Sequence, residues 1–96
     1  MPNLHVVAVI TAKPGSESIV EAALKELTAA SRGDKGCLSY ELFASDTPGA
    51  FVTIEKWESQ PDIDAHMASP HIAQMITAAG DHLDGFPAIH TLRSLG

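Results

Sequence analysis

The segment that most constrains the fold is an apolar strand near the start of the chain. Residues Leu4–Ala12 are rich in β-branched side chains and have the length of a strand. Alternation places Leu4, Val6, Ala8 and Ile10 on one face and His5, Val7, Val9 and Thr11 on the other. Both faces are largely apolar, so both must be covered. We expect helices on one side and a second protein surface on the other.

Capping and turn signals divide the rest of the chain into two helical regions and three further strands. Ser18 with Glu21 has the spacing of a capping box, and Ser16 is an alternative N-cap, for a helix that ends near Arg32–Gly33. The other predicted elements are strands at Gly36–Ala44 and Ala50–Glu58, a helical region from Ser59 to about Leu83, and a strand at Gly85–Leu95. In the Gly36–Ala44 strand, alternation places Leu38, Tyr40 and Leu42 on one face.

The second helical region is predicted to be kinked. Ser59 and Asp62 have the spacing of a cap and its partner. Ser69–Pro70 is a second N-cap followed by a proline at the first helical position. We therefore expect a short helix, a break, and a longer helix.

The resulting order, β-α-β-β-α-β, is that of a ferredoxin-like α+β domain. Such a domain has an antiparallel sheet with both helices on one face, and we expect residues 1–96 to form one domain of this kind. The other face of the sheet would be bare and apolar. We therefore predict a homodimer in which two sheets pack together in a barrel-like interface.

Charge and composition exclude several classes of function. The formal net charge is −6, and the six basic residues are scattered singly, whereas a nucleic-acid backbone requires a clustered basic face. The longest apolar run, Val6–Ile10, is far shorter than a membrane span of about 20 residues. The single cysteine, Cys37, allows no internal disulfide. Because no basic segment resembling a signal peptide precedes the first strand, we expect a cytoplasmic protein.

Two histidines are candidate catalytic residues. His66 and His71 lie five positions apart, across the predicted break, and histidine is the natural general base near neutral pH. On an unbroken helix they would diverge by about 140°, so whether both face the sheet depends on the kink. The alternatives are that His66 secures a loop at a helix end and that His71 lies on the surface.

Candidate substrate-binding residues lie on the second and third strands. Phe51, Thr53 and Trp57 share a face with Glu55, and Tyr40 lies on the preceding strand. Trp57 could stack on a planar substrate or fill the core, and Tyr40 could donate its hydroxyl to a substrate or cap the core. An unpaired buried carboxylate is costly, so we expect Glu55 to pair with a histidine or an arginine, either within the chain or across the dimer.

Four short motifs together resemble those of the antibiotic biosynthesis monooxygenase family, which includes small quinol and anthrone monooxygenases. They are Pro14–Gly15, Gly36–Cys37–x–x–Tyr40, Glu55–x–Trp57–x–Ser59 and His66–x–x–Ser69–Pro70–His71. The resemblance extends from about Leu4 to Leu95. It implies a dimeric α+β barrel and the oxygenation of electron-rich aromatic compounds by O₂ without flavin, haem or metal.

The residues are compatible with that chemistry. The sequence has no glycine-rich dinucleotide motif, no thiolate pair and no convincing carboxylate–histidine metal set. We therefore expect no cofactor and no metal. Oxygenation without a cofactor needs a base, an apolar pocket for the ring, and a polar group that stabilises the oxyanion.

Other functions remain open at this stage. Anthrone oxidases of the family carry an asparagine four residues before this tryptophan, where Thr53 stands here, which argues against anthrone oxidation. Haem-degrading relatives combine a histidine, a tryptophan and an asparagine, but the only asparagine here is Asn3. The protein could also be a dimeric small-molecule-binding module without catalysis, or an isomerase or decarboxylase that works without O₂. His5 and His90, on strands predicted to be neighbours, could form a two-histidine metal site.

Overall fold

The computed structural model describes residues 3–96. The helices and strands are, in chain order, β1 Leu4–Thr11, α1 Glu17–Ser31, β2 Cys37–Ala44, β3 Ala50–Trp57, α2 Gln60–Met67, α3 Pro70–Ala79 and β4 Ala88–Arg93. One turn of 3₁₀ helix, Gly80–His82, follows α3 in place of the expected continuation to Leu83. Strand β4 is shorter at both ends than predicted. No helix in residues 3–96 has the length and apolar character needed to cross a membrane.

The four strands form one antiparallel sheet in the order β2-β3-β1-β4. Strand β1 is central and pairs with β3 on one side and β4 on the other. In the register, Val6 lies opposite Glu55 of β3 and Thr91 of β4. This strand order, with the helices packed on one face, is the predicted ferredoxin-like α+β fold.

The two faces of the sheet differ because the helices cover only one of them. Val6, Ala8 and Ile10 are buried on the face that the helices cover. On the opposite face, Phe43 and Ile54 are nearly half exposed. The uncovered face carries apolar side chains, as predicted, together with the polar residues Glu41 and Lys56.

Strand β2 departs from simple alternation at its start. Tyr40 and Leu42 lie opposite Glu55 and Thr53 on the helix-covered face, but the register shifts between Cys37 and Ser39. Leu38 falls within this irregularity and is 48% exposed. The prediction that Leu38 shares the face of Tyr40 and Leu42 is wrong, because an irregularity of one residue moves a side chain off the alternating pattern.

Two of the three predicted helix starts are confirmed by their caps. The hydroxyl of Ser59 accepts the backbone N–H of Asp62 at 3.4 Å, and that of Ser69 accepts the N–H of Ile72 at 3.3 Å. Helix α1 follows Ser16 and not Ser18, so the capping box is wrong and the alternative holds. The Ser16 hydroxyl makes no cap hydrogen bond. It lies 3.0 Å from Nδ1 of His82 instead.

The core lies between the helices and the sheet in two clusters. The larger one packs the buried face of α1 against the sheet and includes Leu24, Leu27, Ile10 and Phe51. The smaller one lies at the other end of the sheet and consists of Val6, Tyr40, Trp57 and Ile63. Trp57 is completely buried there.

A glycine fixes the geometry of the loop between α1 and β2. Gly36 has φ +80°, a left-handed conformation that side chains disfavour, and its carbonyl accepts the N–H of Glu58 at 2.9 Å. A Cβ atom at this position would collide with the carboxylate of Asp62 on α2. The loop therefore lies closer to α2 than any other residue type would allow.

Substitution of Gly36 should separate the cost of a side chain at positive φ from the cost of the clash with Asp62. Gly15 also has a positive φ, but its Cβ would contact nothing within 4 Å, so Gly15→Ala should lower the free energy of unfolding by about 1–2 kcal/mol. Gly36→Ala should cost more, since the clash with Asp62 adds to the backbone penalty. Urea denaturation measures both, and Gly33→Ala, with no positive φ, is the control. Equal losses for Gly36→Ala and Gly15→Ala would show that Asp62 moves aside freely.

Candidate functional site

A cavity of about 750 Å³ lies between the sheet and helices α2 and α3. Its size is within the range of sites that enclose small organic ligands. The walls are mostly apolar and come from all four strands and all three helices. Representative apolar lining residues are Val6, Ala8, Ile10, Leu24, Leu27, Ile63, Ile72, Met75, Ile76 and Ile89. Of the lining residues, Ile76, Ile89 and Phe86 are substantially exposed and so mark the side that opens to solvent.

A few polar side chains break the apolar lining. The buried ones are Tyr40 of β2, Thr53 and Glu55 of β3, and His66 of α2. The acidic residues Asp64 and Asp81 also line the cavity, but no lysine or arginine of residues 3–96 does. The cavity is therefore suited to an apolar ligand that carries no negative charge.

The carboxylate of Glu55 is satisfied by neutral donors. The hydroxyl of Thr53 donates to Oε2 at 2.7 Å, and the indole N–H of Trp57 donates to Oε1 at 2.9 Å. All three residues are on β3 and nearly or fully buried. Pairing of Glu55 with a histidine or arginine within the chain is wrong for the described residues, because alternation along one strand already brings two donors to the carboxylate.

Trp57 and Phe51 lie behind the cavity and do not line it. Trp57 belongs to the smaller core cluster, and its ring packs against that of His66 with centroids 4.8 Å apart. Phe51 belongs to the larger cluster. Of the four predicted substrate-binding residues, the structure places Tyr40 and Thr53 on the cavity wall. Trp57 supports the histidine from behind.

The two candidate bases have different positions. His66, in the last turn of α2, is 4% exposed and lines the cavity. His71, in the first turn of α3, does not line it. The rings nevertheless lie near each other, with centroids 5.9 Å apart, because the chain breaks at Ser69–Pro70 between the two helices.

One carboxylate oxygen joins both histidines. Oδ2 of Asp34 lies 2.8 Å from Nδ1 of His66 and 2.8 Å from Nε2 of His71. The sequence did not indicate Asp34, since it lies in a short polar loop 32 and 37 positions before its partners. The glycines on either side, Gly33 and Gly36, signal a loop but no contact with a distant helix.

These three residues are also of the types that bind transition metals. Their donor atoms all lie within 4.8 Å of one another, so the structure assembles a carboxylate–histidine set that sequence spacing did not reveal. The two distances of 2.8 Å are those of hydrogen bonds to a carboxylate. Hydrogen bonding alone accounts for the arrangement.

The other histidines lie apart from the cavity. The side chains of His5 and His90 are on the opposite face of the sheet, where the register pairs His5 with Leu92 and His90 with Val7. They are diagonal neighbours there and do not approach Asp34. His82 contacts Ser16 near the start of α1.

Burial holds the Tyr40 hydroxyl in its protonated form. Desolvation, and secondarily the charge of Glu55, raises the pKa of Tyr40 far above its usual range. The hydroxyl is therefore a hydrogen-bond donor near neutral pH. Its ring lies beside His66, with centroids 5.6 Å apart.

The sequence and the fold both match known proteins. Residues 3–78 match the family described as antibiotic biosynthesis monooxygenase. Rv0793 of Mycobacterium tuberculosis is 30% identical over 90 residues, which are 94% of this chain and 89% of that protein. The structure of Rv0793 superposes with a TM-score of 0.89 at 29% identity, covering 98% of this chain and 96% of that one.

Two further structures are equally similar. PA3566 from Pseudomonas aeruginosa has a TM-score of 0.92 at 29% identity, with 100% of this chain and 97% of that chain covered. A crystal structure of an antibiotic biosynthesis monooxygenase has a TM-score of 0.90 at 29% identity, with 97% and 99% covered. The chain belongs to the antibiotic biosynthesis monooxygenase family, as its four motifs predicted.

The single tyrosine allows a direct test of the cavity environment. Because the folded state raises the pKa of Tyr40, the unfolded chain releases its phenolic proton first, near pH 10. The stability that Tyr40 contributes is therefore complete below pH 10. Above it, the stability should decline by up to about 1.4 kcal/mol per pH unit. Tyrosinate absorbance should appear only as the protein unfolds.

Tyr40→Phe is the control for this titration. The variant lacks the phenol, so its stability should lose the steep component above pH 10 that the wild type shows. A tyrosinate signal that rises while the protein is still folded would contradict the burial of the Tyr40 hydroxyl.

Proposed function

We propose that this protein is a cofactor-independent monooxygenase that oxidises an uncharged, electron-rich aromatic compound, such as a quinol or a polycyclic phenol, with O₂. The observation that carries the proposal is a buried imidazole on the wall of a large apolar cavity. His66 is 4% exposed, and the cavity of about 750 Å³ can enclose a ring system of two or three fused rings.

His66 would act as the general base. Its Nδ1 is engaged by Asp34, so Nε2 is the nitrogen available to a ligand. Removal of the phenolic proton makes the ring a stronger electron donor, and an apolar site lowers the competition from water for that proton. The Tyr40 hydroxyl, kept protonated by burial, would donate a hydrogen bond to the substrate oxyanion.

The reaction balances without an external reductant. The deprotonated substrate passes one electron to O₂, and the resulting radical and superoxide combine at a ring carbon. The peroxide accepts the proton held by His66. As the O–O bond then breaks, the same ring carbon loses its hydrogen as a proton, which leaves with the hydroxide as water. One oxygen atom remains on the substrate as a carbonyl, the other leaves in water, and the substrate itself supplies all the electrons.

The acidic lining of the cavity favours an uncharged substrate over an anionic one. Glu55, Asp64 and Asp81 line it, and no lysine or arginine of the described residues balances them. A carboxylated or sulfonated aromatic compound would face repulsion from Glu55 in a low-dielectric environment. This feature narrows the substrate class beyond what the family implies.

Oxygen consumption by a naphthoquinol, corrected for autoxidation, tests the role of His66. His66→Gln should lower kcat/KM roughly 10²- to 10⁴-fold, which is the range that general-base catalysis contributes. His90→Gln, on the opposite face of the sheet, should leave the rate unchanged. A sulfonated naphthoquinol serves as the negative substrate.

The outcomes of this assay are distinct. Full activity in His66→Gln would remove His66 as the base. Tight ligand binding with no oxygen uptake by the wild-type protein would favour a binding module, and turnover without O₂ would favour an isomerase or decarboxylase.

We also propose that the bare face of the sheet is covered by a second copy of the chain. This face carries the exposed apolar side chains Val9, Phe43, Ile54 and Leu92 on all four strands. Exposed apolar side chains on every strand of one sheet face are typical of an interface. A symmetric dimer would bury it in both copies at once.

Matched charge insertions test the dimer. Ile54 on the bare face and Ile19 on α1 have similar exposures, 47% and 44%. Ile54→Lys should convert a dimer to a monomer in light scattering at micromolar concentration, because it places a charge in the apolar interface. Ile19→Lys should not. A wild-type protein that is monomeric under these conditions would overturn the proposal.

A further inference from the structure

We infer that Asp34 is the positioning residue of the site: it selects the tautomer of His66 and aims the basic nitrogen into the cavity. The catalytic consequence rests on the proposed function. The tautomer itself follows from the hydrogen bonds and can be measured independently of any activity.

The hydrogen bonds allow each neutral imidazole ring only one tautomer. An ionised carboxylate only accepts, so both nitrogens that contact Oδ2 of Asp34 must carry hydrogens. In its neutral form, His66 then carries its hydrogen on Nδ1 and has a free lone pair on Nε2. Neutral His71 carries its hydrogen on Nε2 and has a free lone pair on Nδ1. The two histidines are thus fixed as opposite tautomers by one oxygen atom.

Packing restricts rotation of the His66 ring. The ring contacts those of Trp57 and Tyr40, at centroid distances of 4.8 and 5.6 Å. A flip that offered Nε2 to Asp34 would require these neighbouring rings to make room. Within residues 3–96, Nε2 has no hydrogen-bond partner, and His66 lines the cavity. The free lone pair of Nε2 therefore faces the cavity.

His71 completes the arrangement from the other side. It begins α3, whereas His66 ends α2 and Asp34 lies in the loop between α1 and β2. Two donors on one oxygen fix the carboxylate in both position and rotation. His71 thus acts on the carboxylate, and the carboxylate acts on His66.

Asp34 also stabilises the charge that catalysis creates. When the substrate proton moves to Nε2, His66 becomes an imidazolium while its Nδ1–H remains bonded to Asp34. No lysine or arginine of the described chain lines the cavity, so this imidazolium is the only cation beside the substrate oxyanion. The carboxylate of Asp34 would balance the imidazolium from behind, as the aspartate of a catalytic triad does.

Nitrogen NMR of the imidazole rings tests the tautomers directly. In ¹⁵N-labelled wild-type protein at slightly alkaline pH, His66 should show the Nδ1–H pattern and His71 the Nε2–H pattern. His66→Gln and His71→Gln assign the two sets of signals. In Asp34→Ala, His66 should lose its single tautomer and show an averaged pattern. Asp46→Asn, a carboxylate removed from the exposed turn between β2 and β3, should change neither ring.

Kinetics test the consequence for catalysis. Asp34→Asn should lower kcat roughly 100-fold with a much smaller change in KM, because the substrate still enters the cavity but meets a misdirected base. Asp34→Glu should recover part of kcat, since it restores an ionised acceptor. Melting temperatures of the variants show whether each is folded.

The outcomes separate this inference from the proposed function. An Nε2–H pattern for His66 in the wild type would overturn the inference even if the protein is an oxygenase. Full kcat in Asp34→Asn would also overturn it. The expected tautomers in a protein without oxygenase activity would support the inference and reject the function. If Asp34→Asn does not fold, the inference is tested by the wild-type imidazole nitrogen signals and by the kcat of Asp34→Glu.

A zinc titration tests whether the same three residues bind a metal instead. If one equivalent of Zn²⁺ shifted the signals of both rings, and if Asp34→Asn abolished that shift, the three side chains would be metal ligands. That result would overturn the positioning role. Unchanged spectra would support it.

Discussion

The structure depends on the burial of β1 in the middle of its sheet. Strand β1 pairs on both edges, and its residues Val6, Ala8 and Ile10 are buried under the helices. The helices cover one face, with α1 packed most closely over the part of the sheet around Ile10 and Phe51. The helices do not cover β4, whose residues are all exposed. The cavity lies in this incomplete cover, and Ile89 of β4 forms part of its wall.

Two carboxylates, one buried and one half-buried, show how the site places charge without placing cations. Glu55 receives hydrogen bonds from Thr53 and Trp57 on its own strand, and Asp34 receives them from two histidines on different helices. Neither depends on a lysine or arginine among the described residues. Glu55, Asp64 and Asp81 line the cavity without a balancing lysine or arginine among the described residues, so its lining is acidic as well as apolar.

Much of the fold could be predicted from local patterns. Hydrophobic alternation identified the strands, and the serines at positions 59 and 69 identified two helix starts, because both signals depend on neighbours within a few residues. The error at Leu38 shows the limit of this approach. Alternation assumes a regular strand, and an irregularity at the start of β2 has no marker in the sequence.

The site was less predictable than the fold for a physical reason. Sequence placed Trp57 and Thr53 on the correct face of β3 but could not show that one lies behind the cavity and the other on its wall, since that depends on how far α2 stands from the sheet. Asp34 could not be found at all. Its role arises from a contact across 32 positions of the chain, made by a loop whose position Gly36 fixes.

The chain has one tryptophan and one tyrosine, and both rings flank His66. Nearly all of the intrinsic near-ultraviolet absorption and emission of the protein therefore originates beside a single imidazole. A change in the charge or surroundings of that imidazole is reported optically by residues that are already part of the wild-type chain. Events at the site can be followed in real time without an attached dye and without a variant engineered to carry one.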